Sequence, residues 1–138
     1  MPYAAITYRV KAGYEREIGE IFARFKRPDS PILRDEEGRP AGLLLGTGLF
    51  VKDDVAVRVI HYEGELADVA RHMSDQEGIR ETERALQPYL ATPRDTSTPA
   101  GFIEHFHSAA MHVVQQFSLP EKVAEMLRSE VEAGRVPR

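Results

Sequence analysis

Arg58 stands between Val57 and Val59 in the run VAVRVIHYE, and His61 follows three residues later. A guanidinium in the middle of an apolar strand must be paired or must face a polar cavity, because burying a lone charge is very costly. His72 lies further on, beside Arg71 in LADVARHM. Histidine is the side chain that titrates nearest neutrality, so His61 and His72 rank first as proton acceptors. Arg58 supplies either a positive charge that polarises a carbonyl or a salt bridge at a dimer interface. The chemistry these types afford is removal of a proton beside a carbonyl, with an oxyanion stabilised.

The stretch GFIEHFHSAAMHVVQQF adds His105, His107 and His112, three of the five histidines in the chain. As one helix it would hold His105 and His112 on one face, roughly 10 Å apart along the axis, with His107 nearly opposite. As one strand it would pair His105 with His107 and exclude His112. Neither gathers three ligands, and no H-E-x-x-H or related spacing is present, so a metal site is not expected. His105 and His107 read as a solvated helix face. His112, within an apolar strand, reads as a histidine turned inward. The chain has no G-x-S-x-G and no cysteine, which removes covalent acyl chemistry and thiolate chemistry.

The elements that must position these groups follow from periodicity. AAITYRV is rich in β-branched and aromatic residues and reads as a strand. Tyr14, Ile18, Ile21, Phe22 and Phe25 then form one helical stripe. The proline-rich segment 26–41, long for a connection, reads as a loop roofing a cavity mouth. GLLLGTGLFVKDDVAVRVIHYEG reads as a β-hairpin turning at Lys52-Asp53-Asp54, its two glycines marking a bulge or a close approach. Alternation puts Val55, Val57, Val59 and His61 on one face, and Ala56, Arg58, Ile60 and Tyr62 on the other. A helix starting at Glu65 is interrupted at Gly78 and resumes with Ile79, Leu86 and Leu90. Thr98 and Pro99 read as N-cap and first turn of another helix. An amphipathic helix ends the chain, stopped by Gly134.

Strand, helix, strand, strand, helix is most of a ferredoxin-like fold, which needs one more strand. The expectation is therefore a short helix over 99–107 followed by a strand near 110–117. The fold class is α+β: a four-stranded antiparallel sheet with helices on one face, plus the C-terminal helix. The domain spans 1–118, with the helix and tail at 119–138.

At 138 residues the chain has room for one core. Its 18 basic and 22 acidic residues are interspersed, giving a net charge of −4 and no basic stripe for nucleic acid. No secretory signal and no membrane-spanning run are read, so a cytoplasmic location is expected.

ITYRVKAGYEREIGEIFARFKRPDSP, LLGTGLFVKDDVAVRVIHYEGELADVARHM and ERALQPYLATPRDTSTPAGF closely resemble the SchA/CurD-like proteins of actinomycete type II polyketide clusters, notably spore-pigment clusters. More distantly, ARHM…ETERALQPYL is similar to the tetracenomycin-type polyketide cyclases, dimeric ferredoxin-like proteins whose superfamily includes cofactor-free monooxygenases. Where such cyclases carry a histidine in the second hairpin strand, this chain carries Arg58.

The resemblance implies a role in aromatic polyketide biosynthesis: a cyclase or aromatase without cofactor, acting on a poly-β-ketone intermediate. A quinone-forming monooxygenase and a non-catalytic polyketide-binding or chaperone subunit are the alternatives. Implied partners are the polyketide intermediate, a second copy of the chain, and an acyl carrier protein or synthase. The catalytic expectation is His61, His72 and Arg58, with His112, Arg34 and Tyr62 binding substrate beneath the 26–41 loop. The dimer is expected through a sheet face bearing Arg9, Ile60, Tyr62 and the LLLGTGLF strand.

Overall fold

The computed structural model describes residues 2–24 and 30–135. Strand β1 (Tyr3–Arg9) leads into helix α1 (Glu15–Ala23), then β2 (Ile32–Arg34), β3 (Pro40–Lys52) and β4 (Val55–Glu63). Helices α2 (Leu66–Ser74) and α3 (Glu77–Leu86), a 3₁₀ turn over Gln87–Tyr89, α4 (Pro99–Ala109) and α5 (Glu121–Glu132) complete the chain. The four strands form one antiparallel sheet in the order β1-β4-β3-β2.

Strand alternation sets the layers. Ala4, Ile6 and Tyr8 of β1, and Ala56, Ile60 and Tyr62 of β4, are buried against Val69, Met73, Ile79, Leu86, Phe102 and Phe106 of the helices. Burying these side chains contributes about 1.5–3 kcal/mol for each large one, which makes this layer the core. The hairpin turns at Asp53, whose φ of +53° is a left-handed conformation that aspartate tolerates. The expected bulge lies between Leu44 and Gly46. Thr98 caps α4 by accepting a hydrogen bond at Oγ1 from Gly101 N (3.0 Å), and Pro99 opens the first turn.

Several expectations need correction. The fourth strand is β2, which comes from the segment read as a roofing loop. Residues 30–41 form that edge strand and its turn into β3, while 25–29 lie outside the described residues and Phe25 with them. Segment 110–117 is not a strand. α4 stops at Ala109, two residues beyond the expected end, yet only Ile6 and Ala110 form a bridge on the outer edge of β1, supported by Met111 N donating to Ala5 O (2.7 Å). Val114 and Phe117, 91% and 77% exposed, have no layer to pack on, so the backbone ladder ends at its first rung. Gln116 reaches β1 only through its side chain, accepting at Oε1 from Tyr3 N (3.0 Å). The break between α2 and α3 falls at Asp75–Gln76, with Gly78 inside the first turn of α3. Ile60 and Tyr62 point into the helix layer, so the open sheet face carries Val55, Val57 and Val59 instead, with Phe50 exposed beside them.

Candidate functional site

Arg58, on the core face of β4, enters the space between sheet and helices. Its Nη1 donates to Thr47 Oγ1 of β3 (3.3 Å), and the guanidinium lies 5.4 Å from the centre of the Phe22 ring on α1. With Tyr8, Met73, Ile79, Glu83 and Phe102 it lines a cavity of about 20 Å³. That is room for one water and no larger ligand.

Glu83 connects this cavity to a much larger one. On α3 it occupies the inward position between Ile79 and Leu86, where a carboxylate must find a partner. Both of its oxygens accept from Arg94 Nη2 (2.5 and 2.6 Å), and Thr96 Oγ1 donates to Oε2 (3.3 Å). The side chains of Arg94 and Glu83 are only 11% and 8% exposed. Arg94 also stacks over Tyr8, 4.3 Å from the ring centre, and its buried Nε has no partner among the described residues. Outside this pair opens a cleft of about 550 Å³, walled by Arg80 and Arg84 of α3, by Gln87 of the 3₁₀ turn and by the loop Pro93–Ser97. It has the size of a small-molecule site.

The loop is fastened at two further points. Asp95 accepts at Oδ1 from Ser97 N (3.1 Å) and Ser97 Oγ (2.6 Å), bonds that hold its carboxyl below the usual carboxylate range. The Asp95 backbone N–H donates to His105 Nε2 (3.1 Å), which assigns the neutral ring's proton to Nδ1. His105 is therefore a loop anchor rather than a solvated face, and it borders a smaller cavity of about 180 Å³ with Tyr8 and Arg94. His107 is exposed, as expected.

The structure does not assemble the expected histidine pair. His61 lies on the open sheet face, stacked on Tyr3 (4.4 Å between centres, 15° between planes), while His72 sits in the helix layer on α2. The sheet separates them because His61 is an odd number of residues from Arg58 and must point the other way. Each has a buried Nε2 without a partner among the described residues, and neither borders the cleft or the inner cavity. His112 is exposed on the extended segment after α4, which does not form the strand that would have turned it inward. Arg34 is spent on the β2–β3 turn, donating from Nη1 to Gly38 O (3.0 Å). Tyr62 is buried but borders no cleft; burial, then the Glu65 carboxylate, push its phenol up. Among the described residues no cluster of three histidine, aspartate or glutamate side chains could hold a metal ion. No helix there is long and apolar enough to cross a membrane.

Glu83 was within reach of sequence reasoning, whereas Arg94 lies in a loop where no period marks it. A charge at a core position of the stripe Ile79-Glu83-Leu86 carries the same signal as Arg58 between two valines.

A ferredoxin-like α+β layer of this kind is also the fold of a solved structure described as tetracenomycin F2 cyclase from Streptomyces glaucescens, a type II polyketide cyclase. The two superimpose with a TM-score of 0.55 over 87% of this chain and 100% of that one, at 15% identity. The chain belongs to the SchA/CurD-like domain family, whose model matches residues 1–119. It is 33% identical over 118 residues to the 42.8 kDa protein in the whiE locus of Streptomyces coelicolor, covering 86% of this chain and 28% of that protein. It is 33% identical over 110 residues to polyketide synthase CurD of Streptomyces cyaneus, covering 80% and 28%. Protein SchA of Streptomyces halstedii is 31% identical over 110 residues, covering 80% and 27%. The chain thus spans little more than a quarter of the length of these relatives.

Proposed function

We propose that the chain acts in aromatic polyketide biosynthesis as a cofactor-independent cyclase or aromatase, binding a poly-β-ketone in the cleft between α3 and the 93–97 loop. The observation that carries this reading is the buried Glu83–Arg94 pair at the floor of a ligand-sized cleft. The fold shared with a polyketide cyclase supports it. A methylene flanked by two carbonyls gives up a proton readily once its enolate is stabilised. Arg94, joined by Arg58 if the inner cavity opens, meets the carbonyl oxygen, and Glu83 takes the proton. The enolate carbon then attacks a second carbonyl, the new alkoxide is protonated, and loss of water leaves an aromatic ring. The chain's partners in this reading are the polyketide intermediate, a second copy of itself, and an acyl carrier protein or synthase.

The test is product analysis in the reconstituted pathway with Glu83→Gln and Arg94→Gln. Loss of about 10²–10⁴-fold in cyclised product is expected. Wild-type product at the wild-type rate from a folded Glu83→Gln protein would overturn the cyclase. That result would support a non-catalytic polyketide-binding subunit, a reading favoured by the mutual satisfaction of Glu83 and Arg94 and by the absence of histidine from the described cleft lining. Oxygen uptake with an anthrone substrate would instead support a cofactor-free monooxygenase.

A further inference from the structure

The charges around the cleft do not cancel. Three arginines, Arg80, Arg84 and Arg94, line it against two carboxylates, Glu83 and Asp95. Glu83 is neutralised by Arg94, and Asp95 is turned into its own loop by Ser97. Arg80 donates from Nη2 to the Asp75 carbonyl (3.2 Å) and makes no ion pair among the described residues. Arg84, one turn along α3, has no ion pair or hydrogen bond to a side chain among the described residues. In a chain of net charge −4, the mouth of this cleft is therefore locally cationic. Cationic groups at the rim of a low-dielectric cleft raise the local concentration of an anion.

The spacing bears on which anion. Residues four apart on a helix have Cβ atoms about 5–6 Å apart, so their guanidinium groups can converge on one group between them. A carboxylate is satisfied by one arginine in a two-pronged contact, whereas a phosphate has further oxygens to offer a second. Arginine is also the residue that best matches phosphate geometry.

We infer that Arg80 and Arg84 bind the phosphate of a pantetheine arm, so that the cleft receives its substrate while the substrate is still tethered to a carrier. This rests on the cyclase reading for the identity of the chain at the end of the arm. The phosphate sits at the rim, the arm runs past Pro93 and Gln87, and the ketone chain meets the Glu83–Arg94 pair at the floor. It makes the carrier a partner through the arm it bears, with no separate docking surface required.

The experiment is calorimetric titration of the full chain with 4′-phosphopantetheine and with pantetheine, which differs only by the phosphate. The phosphorylated arm is expected to bind at least about tenfold more tightly. Inorganic phosphate should compete, and the double variant Arg80→Gln/Arg84→Gln should lose the difference while keeping the wild-type melting temperature. Arg84→Gln alone, at an exposed position, gives a second measurement should the double variant fail to fold. Equal binding of the two arms, binding of neither, or a preference that survives both substitutions overturns the proposal. So does arginine-dependent binding of 2-naphthoate without binding of the phosphorylated arm, which would mark a carboxylate site. No turnover is needed, so the two readings fail separately. Phosphate discrimination with an inert Glu83 sinks the cyclase alone, and an essential Glu83 without discrimination leaves a cyclase acting on a free chain.

Discussion

Breaking the Glu83–Arg94 pair leaves one uncompensated charge at a position only about a tenth exposed. Removing a partner from a pair so buried costs about 3–5 kcal/mol, most of it the penalty on the group left behind. Arg94→Ala is therefore expected to lower stability by that amount in urea unfolding, and Glu83→Gln by less, because the amide still accepts one hydrogen bond. Combining Glu83→Leu with Arg94→Met should recover much of the loss, a test that separates charge from packing. At the surface, Asp35 and Asp95 make a different prediction. Hydrogen bonds from the Arg39 backbone N–H and from the Ser97 hydroxyl, respectively, lead the interactions that hold these carboxyls below their ordinary value. A depressed folded-state pKa means that the turn-stabilising contribution is fully present above the unfolded value of about 3.9 and fades as pH falls through the folded one. Carboxyl carbon shifts followed by NMR should show both titrating below the ordinary aspartate value of about 3.9. The amide signals of Glu37, Arg39 and Ser97 should move with them.

The edge of the sheet is where an element depends on one small residue. Gly42 pairs with Leu33 of β2, and a Cβ placed on it would overlap the carbonyl oxygen of Glu63 in β4. The obstacle is backbone, which cannot swing aside as a side chain could. Gly42→Ala is expected to cost at least about 1–3 kcal/mol, and to raise hydrogen exchange at Ile32 and Leu44 before it affects β1. Uniform loss of protection across the sheet would show that β2 is not a separable edge. Leu33, fully buried and flanked by exposed Ile32 and Arg34, is the single anchor of that three-residue strand. This is why a segment dominated by prolines and charges reads as a loop: one apolar residue in the right register outweighs them.

The whole molecule leaves apolar surface uncovered. The open sheet face presents Val55, Val57, Val59 and the 64% exposed Phe50, with Tyr3 stacked on His61 at one side. Met111, Val114 and Phe117, on the segment that follows the bridge to β1, are exposed as well, and α5 has no buried residue at all. Exposed apolar side chains gathered on one sheet face are the kind of surface that a partner covers. We expect sedimentation to give a homodimer at micromolar concentration, and Phe50→Glu with Val57→Lys to give a monomer. A wild-type monomer would end that expectation. In the dimer, the His61 ring and its unpartnered Nε2 would lie at or near the shared face, a place for hydrogen bonding between copies rather than for proton transfer in the cleft.

Local order was legible in the chain. The Tyr14–Phe22 stripe, the turn at Asp53, the bulge at Gly46, the Thr98 cap and the two faces of β4 each follow from spacing and from one or two residues' conformational preferences. The face assignment even separated Arg58 from His61 correctly, since alternation is a property of the backbone alone. Tertiary structure decided which face received the helices, and with it which of the two entered a cavity. It decided that residues 32–34 complete the sheet while 110–117 make one bridge, because pairing depends on what packs above the strand. It also brought Glu83 to Arg94 and His105 to Asp95, contacts across eleven and ten residues that no helical or strand period relates. Periodicity reports the side of an element on which a side chain lies. Only the packing of elements reports what that side chain meets.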